Sequence, residues 1–205
     1  MCESHVIVAV GVKGGYSGTA TSAYTIAPKK ITPTVTLSAK SYIYNGKIRK
    51  PTVTVKNGTA KMTAGTDYKV TYASGRKNVG KYSVKVTLTG NYSGSKTVYF
   101  KIRPKATTLV SVTGYRNKCL VKWNRQSAKM ATERISGYQI QLATDSKFTK
   151  NKKTVKVKGY SKTSKKVTGL KGGKKYYVRI RTYKTINGVK YYSKWSKAKT
   201  VTVKK

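Results

Sequence analysis

Acidic side chains are scarce in this chain: four Asp+Glu stand against 45 Lys+Arg in 205 residues, a formal net charge of +41. They are Glu3, Asp67, Glu133 and Asp145, spread one by one along the sequence. That supply excludes the carboxylate pair of general acid–base chemistry and the clustered carboxylates of a calcium site. Histidine occurs once, as His5, so an imidazole base or a His-rich metal site has little to be built from. Cys2 and Cys119 are the two cysteines, too few and too far apart for a disulfide framework or a metal-ligand spacing. Also missing are an apolar run that would span a bilayer and a basic-then-apolar leader, since the apolar stretch 6–10 is short and follows Glu3 and His5. Cys119 alternates with Val121 and Trp123, which reads as a buried, inert thiol. Gly172-Gly173 between lysines resembles a phosphate-binding loop, but no helix follows to complete one. The chain reads as a non-enzyme that needs no cofactor and no metal.

What is present is positive charge, tyrosine and strand-forming residues. A small domain ordinarily carries a net charge of magnitude roughly 2–8, so this chain repels itself and attracts polyanions, with an affinity that falls as salt rises. Runs rich in Val, Thr and Tyr alternate with period two at Thr34–Ser38, Pro51–Lys56, Tyr68–Tyr72, Lys81–Thr89 and Lys96–Ile102, with turn residues such as Asn45-Gly46, Asn57-Gly58 and Ser74-Gly75 between them. No helical period competes. Short strands at such intervals predict an all-β sandwich.

The sequence also repeats itself. Gly14-Gly15-Tyr16-Ser17-Gly18 returns as Gly90-Asn91-Tyr92-Ser93-Gly94, at an offset of 76, and 9 of the 23 positions compared between 6–28 and 82–104 are identical. The glycines suit a hairpin turn, and the tyrosine is expected to pack over it. Residues 6–26 match only the last third of the repeat, two strands around that turn. A lone hairpin is marginal in water, so this is the tail of a copy cut short upstream or, alternatively, a hairpin that completes another subunit's sheet.

Tyr44-Asn45-Gly46-Lys47, Pro51-x-Val53-x-Val55, Gly65-Thr66-Asp67-Tyr68-x-Val70-x-Tyr72, Asn78-Val79-Gly80 and the Gly90–Gly94 turn together resemble the bacterial Ig-like repeats of Gram-positive, especially clostridial, surface proteins. The resemblance implies extracellular spacer or adhesive modules, with a signal peptide upstream of this stretch. Asp67, the lone acid of residues 29–104, reads as a turn-fixing carboxylate.

Pro104-Lys105-Ala106-Thr107 reads as a short linker. Beyond it the chain resembles a fibronectin type III domain. Trp123 fits that family's buried strand-B tryptophan, 137–142 the strand that follows, and 170–181 its turn and strand F, with Leu170 and Tyr176 at the corner and Val178 and Ile180 in the core. Gly172 stands where the family usually has proline. Tyr192-Ser193-Lys194-Trp195-Ser196 resembles the Trp-Ser-x-Trp-Ser box of some type III domains, with Tyr in the first Trp position. The spacing of Arg179 and Arg181 puts both guanidinium groups on the outer face, which implies a structural cation–π stack with Tyr192 and Trp195; a ligand-binding platform is the alternative. The fold class is therefore all-β, tandem β-sandwiches: 1–28 a partial repeat hairpin, 29–104 an Ig-like repeat, 105–205 a type III domain.

Charge concentrates in the last domain, with 28 Lys+Arg against two acids. The densest part carries Lys150, Lys152, Lys153, Lys156, Lys158, Lys162, Lys165, Lys166, Lys171, Lys174 and Lys175. On strands alternating with Val155, Val157 and Val167, the lysines are expected to line one solvent face. Such a face is either only solvated, blocking edge-to-edge pairing, or a surface that binds an anionic polysaccharide or cell-wall polymer. Two other classes stay open. Sequence-independent nucleic-acid binding fits the charge and the tyrosines, but lysines greatly outnumber the arginines favoured for base readout. A mechanical spacer or self-assembling subunit would bind no polyanion specifically.

Overall fold

The computed structural model describes residues 4–10, 19–126 and 134–205. The earlier copy of the repeated turn, Gly14 to Gly18, lies outside them, as do Cys2, Glu3, Val12 and Glu133. In chain order the strands are β1 (Ser4–Val10), β2 (Thr19–Thr25), β3 (Lys29–Lys30), β4 (Thr34–Leu37), β5 (Ser41–Ile43), β6 (Val53–Asn57), β7 (Ala60–Lys61), β8 (Tyr68–Tyr72), β9 (Gly80–Leu88), β10 (Tyr92–Ser93), β11 (Ser95–Arg103), β12 (Leu109–Tyr115), β13 (Lys118–Trp123), β14 (Gly137–Ala143), β15 (Lys153–Lys158), β16 (Ser164–Thr168), β17 (Lys175–Ile186), β18 (Val189–Tyr192) and β19 (Lys199–Thr202). There is no helix among the described residues, and so none long and apolar enough to cross a membrane. The fold is all-β, with β-sandwiches in tandem. Lys40–Lys50, Ser74–Tyr82 and Lys101–Lys205 form one compact unit and the rest of the chain another.

β1 and β2 pair antiparallel from Ser4↔Thr25 to Val10↔Thr19. Moved by the repeat offset, they fall on 80–86 and 95–101, the opening residues of β9 and β11. The repetition in sequence is thus matched by a repetition of paired strands, β1 with β2 and β9 beside β11.

In the unit that holds Pro51–Ala73 and Ser83–Phe100, Val55, Met62, Tyr68, Val86 and Leu88 form a buried core, with Ile31, Val35, Val53, Val70 and Tyr92 packed against it. The turn tyrosine, Tyr92, is half-buried against this core. β10, inside the turn, pairs in parallel with β3. Lys29 N–H donates to Asn91 O at 2.9 Å and Ile31 N–H to Ser93 O at 3.1 Å. Gly94 sits at φ +125°, and a Cβ there would lie 2.6 Å from Ile31 O; only glycine lets the incoming strand approach so closely. Asp67 Oδ2 accepts the Thr63 N–H at 2.7 Å, while Asp67 N–H donates to Thr63 O at 2.9 Å, so this carboxylate closes a turn.

One further four-stranded sheet has the order β5-β11-β9-β8. β8 pairs antiparallel with β9. β5, which runs parallel to β11 from Ser41 to Ile43, was not expected from the sequence, because three residues show no period.

Residues 109–203 build a sandwich of a three-stranded sheet, β12-β13-β16, and a five-stranded one, β15-β14-β17-β18 with β19 also on β17. Between them Cys119, Val121, Trp123, Tyr138, Ile140, Leu142, Val178 and Ile180 are buried. The Trp123 and Tyr138 rings meet at 5.1 Å. Burial of about a dozen such side chains, at roughly 1.5–3 kcal/mol each, is the main stabilising contribution. Tyr176 Oη accepts the Lys171 N–H at 3.1 Å, with Leu170 buried beside it, which fastens the corner before β17. The sandwich closes where β12 approaches β19. A Cβ on Gly114 would lie 2.1 Å from Thr202 O, so no side chain fits. The 104–107 segment is tied down instead of hanging free: Lys105 O accepts Thr182 Oγ1–H at 2.6 Å, and Thr107 Oγ1 donates to Asn124 O at 2.5 Å.

Candidate polyanion-binding surface

β14 is buried at all seven positions, which an outer strand face exposed to water would not be. Its even residues, Tyr138, Ile140 and Leu142, face the core. On its other face Gln139 and Gln141 are held under two arginines of β17. The register sets this: Gln139 lies opposite Arg181 and Gln141 opposite Arg179. Arg181 Nε donates to Gln139 Oε1 at 2.7 Å, and Arg179 Nε to Gln141 Oε1 at 2.9 Å.

The guanidinium planes alternate with rings. Arg179 lies 3.9 Å from the Phe148 centroid and 4.6 Å from that of Trp195. Arg181 lies 4.2 Å from Trp195 and 3.8 Å from Tyr192. Tyr183 extends the stack, 6.1 Å from Tyr192. Burial pulls both arginine pKa values down, and for Arg181 the neighbouring Arg179 charge does so too; the quadrupoles of the rings and the two glutamines oppose that cost.

The segment that delivers Tyr192 and Trp195 is hydrogen-bonded onto β17 by its serines. Ser193 Oγ accepts the Thr182 N–H at 3.0 Å, and Ser196 Oγ accepts the Ile180 N–H at 3.1 Å. The final edge is split: β18 pairs with 183–186 of β17 and β19 with 175–178. Phe148 is a rung that sequence reasoning missed. It comes from a turn at φ +59° that Asp145 holds, its carboxylate accepting Lys150 N–H at 2.7 Å, Thr149 N–H at 2.9 Å and Thr149 Oγ1–H at 2.8 Å. The Lys150 N–H, first, and the Thr149 bonds hold the Asp145 carboxyl below its ordinary pKa.

The lysines do not share one face. β15 belongs to the five-stranded sheet and β16 to the three-stranded one, so topology divides them. Lys156 and Lys158 are exposed on β15, alternating with Val155 and Val157; they lie opposite Gln139 and Gly137, beside the arginine ladder. Lys166 lies opposite Leu120 on the second sheet, while Lys165 takes the inward register opposite Val121 yet stays exposed, a charge that blocks pairing at an open edge. Lys150, Lys152 and Lys162 are exposed in turns. Lys175 Nζ sits 5.6 Å from the Tyr177 ring. Lys153 reaches across from one sheet to the other and donates to Thr168 O at 2.5 Å. It and Lys174 line one pocket with Lys171.

Other chemistry is sparse. Cys119 is fully buried, and burial pushes its thiol up to about 11. No three His, Cys, Asp or Glu among the described residues come together as metal ligands.

Comparison with known families bears on this arrangement. The fibronectin type III domain model matches residues 103–199, and the MBG domain model, an Ig-like β-sandwich type of repeat, matches residues 33–106. No curated protein matches the chain. Among solved structures it is similar to the chicken CNTN1 FN1–FN3 domains, at 18% identity and TM-score 0.41, covering 91% of this chain and 70% of that one. The third fibronectin III domain of human KIAA0343 protein aligns at 17% identity and TM-score 0.38, covering 48% and 82%. A β-1,2-glucanase from Parabacteroides distasonis aligns at 16% identity and TM-score 0.38, covering 60% of this chain and 18% of the glucanase.

Proposed function

We propose that the chain is a non-catalytic extracellular or cell-surface module that both spaces and adheres, with the basic type III domain binding an anionic polysaccharide or cell-wall polymer. The type III and MBG matches support an extracellular structural or adhesive module. One observation carries the adhesive part. Asp145, in the β14–β15 turn with its carboxylate on Thr149 and Lys150, is the one acid among the described residues of the last domain, so a single described carboxylate stands against the exposed lysines of β15, β16 and their turns and most of their field is uncompensated. Clustered uncompensated charge of one sign raises the local concentration of a polyanion and speeds its encounter.

Lysine favours this over nucleic-acid readout. Its ammonium is a strongly hydrated point charge, indifferent to base edges, whereas Arg179 and Arg181 are engaged on the outer face with rings and glutamines. The experiment is retention of the full chain on heparin, purified anionic cell wall, double-stranded DNA and a neutral glucan at matched ionic strength. Retention on the anionic glycans that exceeds DNA, with none on the glucan, is expected. No binding to any anionic glycan at low salt would overturn the reading, and tighter binding to DNA would replace it with nucleic-acid binding.

A further inference from the structure

The pocket between the β14–β15 turn and the β16–β17 loop has a volume of about 510 Å³ and is lined by Thr144, Asn151, Lys153, Gly169, Leu170, Lys171, Lys174 and Tyr176. We infer that it is a discrete subsite for one sulfate- or phosphate-ester group of an anionic polysaccharide, taken together with the sugar that carries it. This rests on the adhesive reading above and makes it specific: one site, built on Lys153 at the start of β15 and separate from the exposed Lys156 and Lys158 further along that strand.

Three features support it. First, the charges at the wall are of one sign: Lys153, Lys171 and Lys174 line the pocket and no carboxylate does. Second, one ammonium is placed in advance. Lys153 Nζ is held by Thr168 O at 2.5 Å and lies 3.0 Å from where a Cβ on Gly169 would be. Two N–H bonds of that ammonium are left to give, and its position is set before a ligand arrives, which lowers the ordering cost of binding. Third, neutral donors surround it. Tyr176 Oη accepts from Lys171 N–H and keeps its own proton to donate, while the Asn151 side-chain amide donates one N–H to Thr144 Oγ1 at 3.1 Å and has a second.

The volume falls within the roughly 300–1,000 Å³ of small-molecule pockets, which is room for a sugar ring and not only for an ion. No arginine is among the residues of its wall; its lysines meet an anion as point charges, a mode in which lysine also binds phosphate.

The test compares two double variants of the full chain with the same loss of charge, Lys171→Gln with Lys174→Gln and Lys156→Gln with Lys158→Gln. All four lysines are exposed, so folding is expected to persist in both. The probes are a heparin-derived tetrasaccharide and a short glycerol-phosphate oligomer, measured by calorimetry, with heparin-column retention alongside. The pocket variant is expected to bind the favoured oligomer about tenfold more weakly, and the β15 variant within about twofold of the parent. Preference between the probes tells sulfate from phosphate esters. If both variants lose the same affinity, or the pocket variant loses none, the subsite is refuted while column retention keeps the adhesive reading. If the parent chain is not retained on the column at all, the adhesive reading itself falls.

Discussion

Replacing Arg181 by alanine removes the central rung of the outer-face ladder, and its cost can be worked from the geometry. The guanidinium lies between Trp195 at 4.2 Å and Tyr192 at 3.8 Å and donates to Gln139 at 2.7 Å. Each cation–π contact contributes about 0.5–1 kcal/mol when exposed and about 2 when desolvated; for this partly covered side chain about 1 each is reasonable. The charged hydrogen bond adds about 1.5 kcal/mol, the low end of its range. Against these stands relief of repulsion from Arg179, about 0.5 kcal/mol at a screened surface. The net loss expected is about 3 kcal/mol, or a fall of roughly 10–20 °C in Tm for a domain of this size. Arg181→Lys keeps the charge but loses the planar fork and stacking, and should lose about half as much. Urea unfolding of both variants, at low and moderate salt, decides it. An Arg181→Ala variant less than about 1 kcal/mol below the parent, or one more stable at low salt, would show that repulsion outweighs stacking and would refute the ladder as a stabilising device.

Three further outcomes are expected. Gly114→Ala forces a Cβ to within 2.1 Å of Thr202 O; the two edges must separate, costing about 1–3 kcal/mol by denaturant unfolding, and an unchanged midpoint would mean the closure is loose. Asp145 has a folded pKa below its unfolded value, so the stability it contributes is fully present above the unfolded value of about 3.9 and is lost as pH falls through the folded one. Melting curves between about pH 5 and pH 2 should therefore show a fall that Asp145→Asn reduces; equal falls in both would rule out this carboxylate as the source. Cys119, buried and pushed up to about 11, should resist a thiol reagent at pH 8 until the domain is unfolded, as peptide mapping of the labelled site would show.

Much of the scaffold could be read from the residues alone, because burial in a sandwich follows period two. Tyr68–Tyr72 emerged with the bounds expected of it, and Trp123, Val178 and Ile180 are core residues. The two-residue spacing of Arg179 and Arg181 likewise told their shared face. What stayed hidden depends on tertiary placement. Phe148 reaches the ladder from a turn that Asp145 ties, and no local pattern marks it. Gln139 and Gln141 look like solvent-facing strand residues until β17 is set beside them. β5 pairs in parallel over three residues, too few for any period. The lysines show why pattern is not surface: their alternation was legible, but which sheet each strand joins is decided by topology, and that splits Lys156 and Lys158 from Lys165 and Lys166.

The central claim is that adhesion belongs to a placed set of lysines and not to net charge. It is tested most directly by two full-chain variants, each with four charges fewer than the parent's +41. One replaces Lys150 and Lys152 of the β14–β15 turn and Lys171 and Lys174 of the β16–β17 loop with Gln; the other replaces Lys29, Lys30, Lys47 and Lys61, all exposed as well. Affinity for heparin at about 0.1 M salt, where the screening length is about 10 Å, should fall at least tenfold in the first and by no more than about twofold in the second. Equal losses in the two variants would contradict the account.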